Sequence, residues 1–380
     1  MRPLRKIPLA EPFLSEMEEK LILEAIRSGW ISSQGSFVRK FEESFSSYIG
    51  TKYGIAVSSG TAALHLALAA IGVHQGDEVL VPAFTSISTA NAVRYTGAKP
   101  VLVDSEPYTW NIDPAKLEEK ISKRTKAIMV VHIYGHPADM DPIINVARSY
   151  DLYVIEDAAE AHGAEYKGKK VGGIGDIGCF SFYANKIITT GEGGMVLTND
   201  EEIAKKLDRL RDQGFNLKLR KWLVHDFIGY NYRLTNLQAA IGLAQLERIE
   251  EFINRRRENA YYYNYLLKDI PGVILPPEAP WAKNVYWMYT ILLNEEILGI
   301  TRDDVMKRLE DYGIDTRATF LPIHKQPPYI EVYKNETYPI AEMLGRRGIN
   351  LPSGNTTTKE EIEYVVSALR EILNKRTQHA

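Results

Sequence analysis

Cysteine is almost absent: Cys179 stands alone among 380 residues. An internal disulfide is therefore excluded, as is any Cys-x-x-Cys pair for zinc or thiol exchange, and a reducing cytoplasm is the expected compartment. Excess charge of one sign is missing too. Forty-six Lys plus Arg against 49 Asp plus Glu leave a formal charge of −3, which offers no global basic field for nucleic acid or an anionic membrane. No apolar run reaches the ~20 residues that span a bilayer. Met1 to Pro12 carries three basic residues without the apolar core of a secretion signal. There is no low-complexity stretch and no solenoid or propeller period. The 45% of apolar residues instead suffices for a sizeable core, and the length predicts two domains.

From about residue 54 to 200, short β-rich runs alternate with helical patterns. The runs are IAVSS, EVLVPAF, KPVLVDS, AIMVVHIYG, LYVIEDAAEA, CFSFYAN and GGMVLTN. That alternation predicts an α/β domain with a mainly parallel sheet. Between the first two, Ala63, Leu64, Ala67, Leu68 and Ile71 recur at helical spacing and Gly72 is a stop. From Thr235, more than thirty proline-free residues predict one long helix or two abutting ones. Pro271, Pro276, Pro277 and Pro280 then interrupt the chain. Beyond them, the strand-like VYWMYTILL and helical patterns near 301–312 and 358–375 predict a smaller α+β domain. The expected division is 1–255 and 256–380.

The motif GIGDIG at 173–178 matches a dinucleotide fingerprint, but a polar turn precedes it and a β-like run follows, so no helix N-terminus would receive a pyrophosphate. His132 and His136, four apart with Asp139 nearby, would need a helix to share a metal; the segment reads as strand and turn, so no metal site is expected. Asn335-Glu336-Thr337 and Asn355-Thr356-Thr357 read as polar surface loops. Lys186 sits between CFSFYA and a glycine-rich stretch. Isolated lysines commonly snorkel from a sheet edge. Here Ser181, five residues earlier, offers a hydroxyl to an anion, and Gly191, Gly193 and Gly194 would let backbone approach a ligand. A buried lysine loses its proton readily and can then attack a carbonyl. Glu156, Asp157 and Glu160 fall where a strand reaches its carboxyl end, the ligand edge of open α/β sheets, unless they cap a following helix. Paired with Lys186, Asp157 suits the ring nitrogen of pyridoxal phosphate, which needs a carboxylate to stay protonated. Ser58-Ser59-Gly60-Thr61 joins a strand to a helix and suits a phosphate, or is simply an N-cap.

Taken together, SSGTAALHLAL, VHIYGHPADMD, VIEDAAEAHGAEYKGKKVG, GDIGCFSFYANKIITTGEGGMV, GYNYRLTNLQAAIGLAQLERI and LPIH resemble the pyridoxal-phosphate-dependent sugar aminotransferases of the DegT/DnrJ/EryC1/StrS family, over nearly the whole chain and in the family's order. The resemblance implies an aspartate-aminotransferase-like, fold type I large domain with a mainly parallel mixed sheet. It makes Lys186 the lysine joined to the cofactor, Asp157 the partner of the pyridine nitrogen, and Glu160 a residue beside the ring. Gly60, Thr61 and Ser181 would hold the phosphate. Asn231 would reach the phosphate from a second subunit, implying a homodimer with shared sites, and His324 would lie on the substrate side. Trp30 and Arg317 line the sugar-nucleotide cleft in this reading, or are core or surface.

The family usually stacks an aromatic ring on the cofactor where this chain has Ser86; Phe84, two residues earlier, would replace it only by a change of strand face. The start IPLAEPFLSEMEEKLILEAIRSGWISSQG, the EDAAEAHG form and GRRGINLPS most resemble members that aminate C4 of GDP-4-keto-6-deoxymannose for polysaccharide such as O-antigen. The implied donor is L-glutamate, giving 2-oxoglutarate. Rival readings are a UDP- or TDP-linked ketosugar and a cofactor- or sugar-binding sensor without catalysis. Dehydratase relatives carry histidine at the position of Lys186.

Overall fold

The computed structural model describes residues 6–216 and 218–374; the part of the leader reading that falls on residues 1–5 lies outside them. Two helices, α1 (Glu16–Arg27) and α2 (Ser36–Ile49), come first. Ser15 and Glu18 close a capping box on α1, satisfying two amides that the helix leaves without acceptors. The main sheet then assembles from β1 (Tyr53–Val57), β2 (Glu78–Pro82), β3 (Lys99–Val103), β4 (Thr125–Val131) and β5 (Tyr153–Asp157). After the short β6 (Glu165–Tyr166) and β7 (Lys169–Lys170) come β8 (Ile177–Ser181) and β9 (Gly194–Thr198). The sheet order is β1-β9-β8-β5-β4-β2-β3. β2 with β3 and β4, β4 with β5, and β5 with β8 pair in parallel, whereas β9 runs antiparallel to both β1 and β8. All seven expected runs are strands, and the expected mainly parallel sheet is present, with β9 making it mixed.

Helices α3 (Gly60–Ala70), α4 (Ile87–Tyr95) and α5 (Met140–Ser149) connect strands of this sheet, and α6 (Glu201–Arg211) follows β9. β2 and β8 are buried along their whole length, which explains their continuous rather than alternating apolar pattern. The proline-free stretch divides at Arg248 into α7 (Asn236–Glu247), opened by a Thr235/Gln238 capping box, and α8 (Ile249–Leu267).

A second sheet, β10-β12-β14-β13, follows, from β10 (Val273–Ile274), β12 (Tyr289–Leu293), β13 (Arg317–Ala318) and β14 (Gly348–Leu351); β11 (Ala282–Lys283) instead pairs with β6. Around it stand α9 (Glu295–Leu298), α10 (Arg302–Asp311), α11 (Pro339–Arg347) and α12 (Lys359–Asn374). Tyr263, Tyr289, Ile291, Val305, Leu309, Ile362 and Leu369 form a core of their own there. Trp287, Ile323, Tyr333 and Leu344 belong instead to the larger core around the main sheet.

Two expectations need correction. VYWMYTILL is a strand only over Tyr289–Leu293, because Tyr286 takes a left-handed backbone (φ 47°) and its amide bonds Asn284 Oδ1 rather than a neighbouring strand. Asn355 is not on an open polar loop. It is buried, and its carbonyl accepts from Arg255, since the 352–357 turn packs under α8.

Candidate active site

The carboxyl ends of β2, β5 and β8 open onto one cavity of about 300 Å³. This is the edge of an open α/β sheet where strand carbonyls end and loops diverge, leaving room for a ligand. Lys186, Asp157, Glu160, Gly60, Thr61, Ser181 and Arg317 all line it, so residues spread over more than 250 positions of sequence meet there. Lys186 is presented by a turn just beyond β8, closed by its own amide on the Tyr183 carbonyl at 2.9 Å. Its Nζ lies 3.7 Å from the ring centroid of Trp287, a cation over an aromatic face. Burial lowers the Lys186 pKa, opposed by the nearby carboxylates Glu160 and Asp157 and assisted by Arg317. The amine is therefore held where it can lose its proton.

Asp157 ends β5 and accepts from the Thr89 hydroxyl at 2.9 Å and from the Ala159 amide at 3.3 Å. Burial raises its pKa, and these two donors oppose that shift. Glu160, one turn on, accepts from the Tyr134 amide at 2.7 Å. Burial pushes its carboxyl up to about 7, against the pull of the Lys186 charge. Tyr134 reaches this bond from a left-handed backbone, φ 51°, a conformation that costs a side-chain-bearing residue about 1 kcal/mol or more. Its ring is stacked between Trp287 (6.1 Å, 16°) and Phe320 (5.3 Å, 3°), and its hydroxyl accepts from the Phe320 amide at 3.0 Å. One wall of the cavity is thus an aromatic column joining both halves of the chain.

On the opposite side, Ser59 caps α3 through a bond from the Ala62 amide. The amides of Gly60 and Thr61 in the first turn have no intrahelical acceptor and sit at the positive end of the helix dipole. Gly60 is required as glycine: a Cβ there would meet Ser181 Cβ at 2.6 Å and Oγ at 3.1 Å. Hydroxyls of Ser59, Thr61 and Ser181 complete an anion cup. Asn185 Oδ1, in the same cavity, is buried without a hydrogen-bond partner among the described residues, an acceptor left for a ligand. An amine with a loosened proton, a buried carboxylate and a phosphate-shaped cup fit pyridoxal phosphate.

Several expected residues are not brought here. His324 is buried and its Nε2 lies 2.8 Å from Glu342; it does not line the cavity, because the LPIH turn points its imidazole to α11. Trp30 is 59% exposed on the loop before α2 and is also outside. Asn231 is exposed and bridges Asp212, outside the cavity of its own chain. Glu156 serves the structure: it accepts from the amides of Gly172, Ile174 and Gly175 and pairs with His132, fixing the turn in which GIGDIG lies. His136 bonds Pro137 and Ala279.

Of the glycines after Lys186, Gly191 faces open space with φ 81°, whereas Gly193 and Gly194 are needed for close packing. A Cβ on Gly193 would strike Thr190, and one on Gly194 would strike the Ser59 and Phe180 carbonyls. Ser86 lines the cavity as the N-cap of α4, whereas Phe84 is buried against Tyr134 and Phe320. The premise of a common face fails because β2 stops at Pro82 and strand alternation stops with it. Sequence reading missed Thr85, Ser88, Tyr183, Asn185, Glu192, Trp287 and Phe320, which also line the cavity. Only Asn185 had a signal, its place beside Lys186.

Because the Glu160 carboxyl titrates near 7 in the fold against about 4.5 unfolded, its contribution to stability is full below about 4.5 and is lost as pH rises through about 7. Glu160→Gln is expected to raise the melting temperature of the cofactor-free protein by a few degrees at pH 8 and to leave it unchanged at pH 4.5. Calorimetry at both pH values checks this; parallel pH slopes for variant and wild type would reject it.

A family model described as the DegT/DnrJ/EryC1/StrS aminotransferase family matches residues 12–370. The chain is 49% identical over 374 residues to a GDP-perosamine synthase of Caulobacter vibrioides, covering 98% of this chain and all of that one. Among solved structures, it superposes on S. venezuelae DesV in complex with a ketimine intermediate with TM-score 0.92 at 34% identity, covering 97% and 99% of the two chains. A putative sugar aminotransferase of Streptococcus pneumoniae in its PLP form gives 0.91 at 27% identity, covering 97% and 99%. Among the described residues, no helix is long and apolar enough to cross a membrane.

Proposed function

The chain belongs to the DegT/DnrJ/EryC1/StrS aminotransferase family, and from that premise we propose its reaction: transfer of the amino group of L-glutamate to C4 of GDP-4-keto-6-deoxy-D-mannose, giving GDP-perosamine and 2-oxoglutarate. The observation that carries the chemistry is the meeting of Lys186, Asp157 and the Gly60–Ser181 cup in one cavity. The nucleotide and sugar rest on full-length similarity to the Caulobacter enzyme.

Pyridoxal phosphate supplies, when bound, the aldehyde that takes up the amino group and the ring that takes up an electron pair. Glutamate Cα is oxidised and sugar C4 reduced by the same two electrons, so no outside oxidant is needed. The Gly60 and Thr61 amides and the Ser181 hydroxyl would hold the phosphate. Asp157 would present its carboxylate to the ring nitrogen, its charge supported against burial by the Thr89 and Ala159 donors, and Glu160 would stand beside the ring.

Lys186 would be the amine that holds the cofactor. Released, it takes a proton from the donor α-carbon and later gives one to sugar C4, work for which burial has already weakened its hold on the proton. Arg317 is the cation in the cavity for an acidic group of either substrate.

Asn231 completes the site of a second copy of this chain, which makes the enzyme a homodimer. Two observations support this. Asn231 is exposed and unused by its own cavity, and the segment before it exposes Trp222 (72%), Leu223 (71%) and Ile228 (92%), apolar surface of the kind that a partner covers.

The test is amination of GDP-, UDP- and TDP-linked 4-ketosugars with glutamate. The highest kcat/KM is expected with the GDP sugar. Preference for another nucleotide would overturn the substrate, and amination of none would overturn the reaction and favour a sensor.

A further inference from the structure

Asp157 is held by a chain of hydroxyls that the roles above leave unused. Thr89 Oγ1 donates to Asp157 Oδ2 at 2.9 Å, and the Thr85 hydroxyl lies 3.0 Å from that of Thr89. A hydroxyl has one proton to give. The proton of Thr89 is committed to the carboxylate, so the contact between the threonines runs from Thr85 to Thr89, and both protons point toward Asp157. Thr85 and Thr89 are 1% and 0% exposed and Asp157 is 5% exposed, so water offers no substitute donor. The pair bridges the corner between β2 and α4 to the end of β5, which ties the orientation of the carboxylate to the main sheet. Oδ1 keeps only the longer contact from the Ala159 amide and is the oxygen available to a ring nitrogen. A protonated Asp157 could still accept from Thr89 through its carbonyl oxygen, but it would bring no negative charge to the ring nitrogen.

We propose that Thr89, backed by Thr85, is a positioning residue that keeps Asp157 ionised and turns Oδ1 to the cofactor ring. The inference rests on the aminotransferase reading and adds to it a polar relay from α4. Burial favours the protonated acid, and the Thr89 bond leads the interactions that oppose it. The other groups facing Asp157 are Lys186 from the turn after β8, Cys179 from β8, His132 from the end of β4 and Glu160 from its own turn. Of these, Lys186 and His132 also favour the charged form, but Lys186 leaves this duty whenever it carries no proton.

The experiment compares Thr89→Val, Thr89→Ser and Thr85→Val with wild type. One readout is binding of pyridoxamine phosphate to the cofactor-free protein at neutral pH, followed by fluorescence. The other is the split between kcat and the KM for the ketosugar. Thr89→Val is expected to weaken binding and lower kcat by about ten- to a hundredfold, the range for a hydrogen bond to a charged group, with KM little changed. Thr89→Ser should restore both, and Thr85→Val should shift both in the same direction by less. Wild-type behaviour of Thr89→Val, or a serine variant as impaired as the valine, would overturn the proposal. Should Thr89→Val not fold, an unaltered Thr85→Val would overturn it alone. Failure of the wild-type protein to bind the cofactor would instead strike the underlying reading.

Discussion

Lys186→Ala is expected to lose measurable transamination. A positioned acid–base group contributes about 10²–10⁴-fold, and this side chain has two duties, joining the cofactor and carrying the proton, so the loss falls at the upper end of that range or beyond. Borohydride reduction followed by peptide mass analysis should place the cofactor on the Lys186 peptide in wild type and nowhere in the variant. The fold should survive. The amine packs over the face of Trp287 and its charge is disfavoured by burial, so truncation removes an unfavourable group rather than a core contact. Lys186→Arg separates charge from chemistry: it keeps a cation against Glu160 and Asp157 yet cannot form the covalent link, and it should fail equally. Turnover at the wild-type rate in either variant would end the proposed mechanism.

Asp157→Asn is the second large effect. The amide keeps the shape and can still accept from Thr89, but it carries no charge to hold a proton on the ring nitrogen. Removing a charge-assisted hydrogen bond costs about 1.5–3 kcal/mol, so kcat should fall by about a hundredfold at the upper limit, and more than cofactor occupancy does. Single-turnover kinetics with glutamate alone isolates the donor half-reaction, where the whole effect should appear. A variant that binds less cofactor but turns over normally once saturated would reject this role for Asp157.

The sheet was legible because burial on both faces makes each parallel strand a continuous apolar run, and those runs are local. Lys186, Asp157, Gly60 and Ser181 were legible for a related reason: each stands at the end of such a run, where strand periodicity stops and a turn begins. What escaped was set by contacts distant in sequence. Trp287 lies within an apolar stretch that reads as strand, and only the left-handed turn at Tyr286 and the Arg256 bond to its own carbonyl at 2.7 Å bring its ring to the cavity. His324 ends a local pattern, LPIH, that says nothing of Glu342, eighteen residues on, which takes its imidazole away. The Ser86 and Phe84 question turned on where β2 ends: both residues lie beyond Pro82, where strand alternation no longer sets the face. Gly194 shows that a glycine beside a reactive lysine can serve the approach of one backbone to another.

The position of β9 has a consequence for biosynthesis. Gly60 follows β1 and Ser181 ends β8, yet these strands are not neighbours; β9, the last of the seven to be made, is inserted between them, and Gly194 at its start touches the Ser59 carbonyl. During translation, which proceeds from the N-terminus, the two sides of the phosphate cup are therefore made before the strand that sets their spacing in the sheet. A polypeptide ended before that ribbon would carry the amine and both sides of the cup without the strand that spaces them.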